Sequence, residues 1–152
     1  MTNEKTPGSA GGHPEPADGG GEFNRGVIAE FRARGGVVGG DLADATLLLL
    51  TVVGARSGEP RTTPLVYLPD GERLVVFASN GGSPTDPAWY RNLVARPEVT
   101  VEVGTDRYPA LAATVDPAEH EALWARQIAA QPQFAGFRTE ARTVPLVALV
   151  RA

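Results

Sequence analysis

The sequence predicts a mainly β domain with some α: about six antiparallel strands closing into a barrel, with helices on its flanks. Three observations lead there. An apolar run, Leu47 to Val53, stops at Gly54-Ala55-Arg56-Ser57-Gly58 and is followed by two more β-rich runs, Thr62 to Leu68 and Arg73 to Ala78. Only short polar turns separate them, one being Pro69-Asp70-Gly71, in which proline sets φ and glycine accepts positive φ. Three further β-rich runs lie downstream with few helices between them, and that ratio favours closure over an open sheet.

At 152 residues the chain is one domain plus a tail. A core of about 130 residues buries roughly two-thirds of its unfolded surface, enough to fold without a disulfide or metal staple. The stretch from Met1 to about Gly21 is Gly/Pro-rich and nearly free of aliphatics, so it is expected to be disordered, leaving residues 22–152 as the folded domain. There is no cysteine, which excludes thiolate chemistry and cysteine-ligated zinc and is compatible with the cytoplasm. His13 and His120 are far apart, which speaks against a histidine metal site. With a net charge of −4, general nucleic-acid binding is not expected, and an anionic ligand must be held by local cations. No apolar run approaches the roughly 20 residues that span a bilayer, and the first residues lack a signal peptide's charged start and apolar centre, so none is expected.

Phe23, Val27 and Phe31 recur at helical spacing, so Phe23 to Arg34 reads as an amphipathic helix stopped by Gly35-Gly36. Its apolar stripe suits either the sheet or a membrane surface or substrate mouth. After the three-stranded meander, Asp86 as N-cap and Pro87 as first helical residue start a helix running to about Ala95. Val99, Val101 and Val103 alternate with polar residues as a half-buried strand, and Arg107 to Val115 makes the next. Asp116-Pro117 repeats the helix start, with Glu119 placed to reach back as in a capping box. That helix extends to about Ala130; Gln131 to Thr143 is irregular or briefly helical, and Val144 to Val150 is the last strand.

Chemistry concentrates in three places. The Gly-flanked turn with Arg56 and Ser57, and Arg61 five residues beyond Arg56, can form a backbone anion nest with a bidentate cationic clamp; the competing reading is an exposed turn with solvated arginines. Ala78-Ser79-Asn80-Gly81-Gly82 is a glycine loop at a strand end, able to bring backbone donors and the Ser79 hydroxyl to a planar ring, or else an ordinary loop. Trp89-Tyr90 with Asn92, and Phe134 with Phe137 around Gly136, read either as core or as ligand contacts, the second pair as a hydrophobic lid. No Rossmann fingerprint or Walker loop is present.

The string Leu-Leu-Leu-Leu-Thr-x-x-Gly-x-Arg-Ser-Gly-x-x-Arg-x-x-Pro-Leu from Leu47, then Asp-Gly, Ala-Ser-x-Gly-Gly and Pro-x-Trp-Tyr-x-Asn-Leu, resembles the deazaflavin-dependent nitroreductase family. The resemblance runs from about Asn24 to Arg151 and includes Val144-Pro145-Leu146-Val147. It implies a split β-barrel of the flavin-reductase or FMN-binding type, actinobacterial and often dimeric, that uses coenzyme F420. Carried over by position, Arg56, Ser57 and Arg61 hold the acidic tail. Pro64, Leu65 and Val66 give backbone contacts along the deazaflavin. Ala78, Ser79, Asn80 and Gly81 border ring and phosphate, Trp89 and Asn92 close the other side, and Phe134 and Phe137 line the substrate pocket.

Three departures stand out: Ala55 precedes Arg56 where a second basic residue is frequent, Asn80 replaces a common lysine, and Gln131, Phe134 and Phe137 stand where nitroreducing members carry tyrosines. Phenylalanine cannot donate a proton, which moves the expected acceptor from nitro compounds towards quinones and enones. The implied reaction is hydride transfer from reduced F420 to an apolar electrophile, with Ser79 or water as proton donor and Tyr67 or Tyr90 as further candidates. Two rivals are an FMN-dependent split-barrel oxidoreductase and a deazaflavin-binding protein without turnover. The protein is expected in the cytoplasm, as a homodimer, with peripheral contact at the inner membrane face through Phe23–Arg34.

Overall fold

The computed structural model describes residues 21–39, 46–79, 85–137 and 143–152, except the side chains of Gln133 and Phe137. The expected tail before Gly21 lies outside the described residues, as do Asn80 and Gly81. In order come α1 (Gly21–Ala33), β1 (Leu47–Val53), β2 (Pro60–Asp70), β3 (Arg73–Phe77), α2 (Ala88–Ala95), β4 (Glu98–Val103), β5 (Asp106–Thr114), α3 (Pro117–Ala130), a 3-10 helix (Pro132–Phe137) and β6 (Leu146–Arg151). The strands close antiparallel in the order β1-β2-β3-β6-β5-β4, with β1 pairing β4 to complete the ring.

Period-two alternation sorts each strand into an inner and an outer set. Leu48, Leu50 and Val52 of β1, Val76 of β3, Val99 and Val101 of β4, and Val147 and Leu149 of β6 fill the interior. On the outside, Val75, Phe77, Leu146 and Ala148 meet Leu123 and Trp124 of α3. Leu49 meets Val27 and Phe31 of α1, so that helix uses its apolar stripe against the barrel wall.

The helix ends follow local chemistry, with two corrections. Asp116 caps α3 as expected, accepting the Ala118 N–H at 3.3 Å with Pro117 behind it. Glu119, however, does not reach back; its carboxylate is taken by Arg73. The Asp86-Pro87 expectation fails. Pro87 itself is the N-cap of α2, in an extended conformation with no side-chain cap bond, and the Asp86 backbone carbonyl accepts from Arg91. The hairpin between β2 and β3 also differs: Asp70 pairs with Arg73, so Gly71-Glu72 makes the turn and Pro69 lies within the strand. After α1, Gly36 donates its N–H to Phe31 O at 2.8 Å, and a Cβ there would stand 2.6 Å from Gly104 Cα. Only glycine allows that crossing.

Candidate functional site

The antiparallel ring brings the C-terminal ends of β1, β3 and β5 and the N-terminal ends of β2, β4 and β6 to one end of the barrel. Between β3 and β4, α2 crosses that end and pushes Trp89 and Leu93 into the interior cluster. The sequence-separated Arg56 turn, Ser79 and Asn92 therefore share one rim.

The turn after β1 is internally braced. Gly54 N–H donates to Glu59 O and Gly58 N–H to Gly54 O, both at 2.9 Å, and Gly58 has a φ of 71°. Ser57 Oγ accepts from Glu59 N at 3.2 Å and from Arg61 Nη2 at 3.4 Å. A Cβ on Gly54 would lie 2.5 Å from Ser57 Oγ and 3.3 Å from Arg61 Nε. A side chain at 54 would have to push the Ser57 hydroxyl aside, because these side chains fold back over the turn. From the other side, Asn92 Oδ1 accepts the Ala55 N–H at 3.1 Å and fastens α2 to the turn. Arg56 is exposed.

Beside the turn the barrel is split. β2 pairs with β1 along Pro60–Val66, but with β3 only from Tyr67 onward. Tyr67 gives its N–H to Thr46 O on the β1 side. Antiparallel backbone groups alternate in direction, so Thr62, Pro64 and Val66 turn theirs the opposite way, along the stretch with no strand partner among the described residues. Val66 and Thr62 bring N–H groups to this edge, and Pro64 brings a carbonyl alone. A mid-strand proline is the sequence signal for such an edge, because it has no hydrogen to offer a ladder. Leu65 belongs to the other set: its backbone faces Leu48 and its side chain packs towards the interior. Thr62, which the sequence reading passed over, also pairs its hydroxyl with that of Thr51 at 2.7 Å.

The remaining candidates divide. Ala78 and Ser79 follow β3 as buried residues, Ala78 N–H donating to Pro145 O at 2.9 Å. Trp89 is only 5 % exposed and sits edge-on to Tyr90, with ring centroids 6.4 Å apart. The Tyr90 hydroxyl lies 3.4 Å from that of Thr114. Phe134 is packed edge-on against Phe77 at 5.8 Å, within the layer under α3. It is core, and not a lid standing over open space. The side chain of Phe137 lies outside the described residues.

Residues 23–151 match the sequence model of the F420H(2)-dependent quinone reductase family. An F420H(2)-dependent quinone reductase of Mycobacterium tuberculosis is 35% identical over 130 residues, covering 81% of this chain and 86% of that protein. Among solved structures, an F420-H2 dependent reductase (FDR-A) superposes with a TM-score of 0.63 at 32% identity, covering 68% of this chain and 93% of the other. A domain-swapped dimer superposes with a TM-score of 0.65 at 30% identity, covering 82% and 95%.

Proposed function

The chain belongs to the F420H(2)-dependent quinone reductase family, and from that premise we propose that it transfers a hydride from reduced coenzyme F420 to an apolar electrophilic acceptor, a quinone before an enone or nitro compound. One observation carries the reading: a braced cationic turn and an open strand edge meet at the same rim, where the bond from Ala55 to Asn92 fastens α2 to the turn. The donor set fits the cofactor. An acidic tail needs fixed cations and N–H groups, which Arg56, Arg61 and the Gly54–Gly58 turn supply. A flat heterocycle with alternating donors and acceptors suits the main chain of Thr62, Pro64 and Val66, which has no strand partner on that side among the described residues.

When bound, the reduced deazaflavin supplies the hydride from its C5. The chain's residues hold and orient. Arg56, Ser57 and Arg61 grip the tail; Pro64 and Val66, with Leu65 shaping the strand from inside, fix the ring plane. Ala78, Ser79, Asn80 and Gly81 border the ring, and Trp89 and Asn92 set the position of α2 against it. Excluding water and fixing distance are the protein's main catalytic contributions. The Ser79 hydroxyl, at the end of β3, is the proton donor in this reading, with water as its replacement. Positions 134 and 137 carry phenylalanine and not tyrosine, so neither offers a phenol proton to the acceptor, which favours a quinone.

We further take the protein to act in the cytoplasm as a homodimer, touching the membrane face through the end of α1. Among the described residues no helix is long and apolar enough to cross a membrane, while Phe23 is 65% exposed at the start of α1. Flotation with liposomes, with and without α1, tests the contact, and light scattering tests the dimer.

The deciding experiment is fluorescence titration with F420 and, separately, FMN, followed by stopped-flow oxidation of bound reduced F420 by menaquinone analogues. Saturable F420 binding and oxidation faster than the free cofactor are expected. Tight FMN binding without F420 binding would replace this reading by the flavin one. Binding without acceleration would leave a carrier of the cofactor.

A further inference from the structure

In a chain of net charge −4, a polyanion can be held only where cations are not already neutralised. Away from the rim, most of those among the described residues are. Arg32 pairs with Glu102, Arg34 with Glu30, Arg73 and Arg126 with Asp70, and Arg151 with Asp106. At the rim Arg91 donates to the Asp86 carbonyl and Arg61 to Ser57. Arg56 and Arg96 differ. Both are exposed, and among the described residues neither guanidinium has an acceptor.

Asn92 joins the two. Its Oδ1 takes the N–H of Ala55, the neighbour of Arg56, and its backbone carbonyl takes the N–H of Arg96 at 2.8 Å. The backbones that carry the two arginines are therefore tied to one asparagine, from separate elements: Arg56 through its neighbour Ala55, Arg96 through its own N–H. A cation at the C-cap of α2 also complements the helix dipole, which accounts for a basic residue there but brings it no counter-ion.

We propose that Arg96, with Arg56, forms a second anion subsite beyond the turn, which takes the outer carboxylates of an acidic, glutamate-bearing cofactor tail. The inference rests on the deazaflavin reading above. Arg61, braced on Ser57 at the mouth, serves the phosphate near the ring. Carboxylates further along the tail would need a cation beyond the turn, and among the described residues Arg96, at the C-cap of α2, is one without an acceptor. Tail length then becomes a determinant of affinity read by Arg96, separate from ring recognition by β2.

The test is fluorescence titration of the full-length protein with three ligands: F420 carrying its polyglutamyl tail, the same compound cut back to the phosphate, and the tailless deazaflavin nucleoside. Arg96→Ala should weaken the full-tailed ligand by about two- to fivefold, the range of an exposed ion pair, and leave the other two unchanged. Arg96→Lys should restore most of the loss, and high salt should erase the difference between variants. Unchanged affinity of Arg96→Ala for the full-tailed ligand would overturn the subsite, as would an equal loss for all three ligands. If the wild-type protein binds none of the three, the deazaflavin reading itself fails. If it binds all three and Arg96→Ala makes no difference, only the subsite fails.

Discussion

Arg32 of α1 and Glu102 of β4 are joined by two parallel hydrogen bonds, Nε to Oε1 at 3.0 Å and Nη2 to Oε2 at 2.8 Å. Glu102 is only 7% exposed, and the bond to it holds the Arg32 guanidinium above its ordinary pKa. Arg32→Ala leaves a buried carboxylate with only Arg107 nearby, at 3.9 Å. We expect a loss of about 1–3 kcal/mol in urea unfolding. Adding Glu102→Gln should return part of it, because the stranded charge is then gone. A double variant no more stable than Arg32→Ala would count against the ion pair as the cause.

Acid should loosen the hairpin end of the barrel. Asp70 accepts from Arg126 and Arg73, both at 2.7 Å, and these bonds hold its carboxyl below the ordinary value of 3.8. A carboxyl depressed in the folded state contributes its stability fully above the unfolded pKa and loses it as pH falls through the folded pKa. Thermal midpoints should therefore drop below about pH 4, with a shallower acid limb for Asp70→Asn. Identical acid limbs in the two proteins would remove Asp70 from the account.

At the cationic turn, Arg56→Ala and Arg61→Ala should each weaken F420 binding by about 1–3 kcal/mol, the worth of a charged hydrogen bond. Gly54→Ala should weaken it too, because the new Cβ displaces Ser57 Oγ, 2.5 Å away. Titration decides. Unaltered affinity in both arginine variants would mean that the tail runs elsewhere.

Phe134 separates core from lid. Buried beside Phe77 and Trp124, Phe134→Ala should cost about 3–5 kcal/mol of stability. Phe134→Leu should cost much less and leave the quinone KM near wild type. A large change in KM with no change in stability would restore the lid.

Much of this was legible beforehand because it depends on neighbours in sequence. The apolar run Leu47–Val53, the alternation in Val99–Val103, Asp116-Pro117 before α3, and Gly35-Gly36 after α1 are short-range signals, and each element formed there. The failures came mostly where a distant side chain won over the local pattern. Asp86-Pro87 and Asp116-Pro117 carry the same dipeptide, but Pro87 keeps an extended backbone and Arg91 takes the Asp86 carbonyl. Glu119 had the right spacing for a capping box and met Arg73 from another strand instead. Phe134 had the spacing of a lid and found Phe77.

By itself, then, the order of residues determined the strand and helix inventory, the turn chemistry and the motif set that marks the family, since periodicity and glycine placement act within a few residues. Ring closure decided what requires two distant segments at once: Asn92 holding Ala55, the stretch of β2 without a strand partner on the β3 side among the described residues, and the ion pairs of Arg32 with Glu102, Arg126 with Asp70 and Arg151 with Asp106. Those outcomes depend on which strand lies next to which, and no local pattern encodes that neighbourhood.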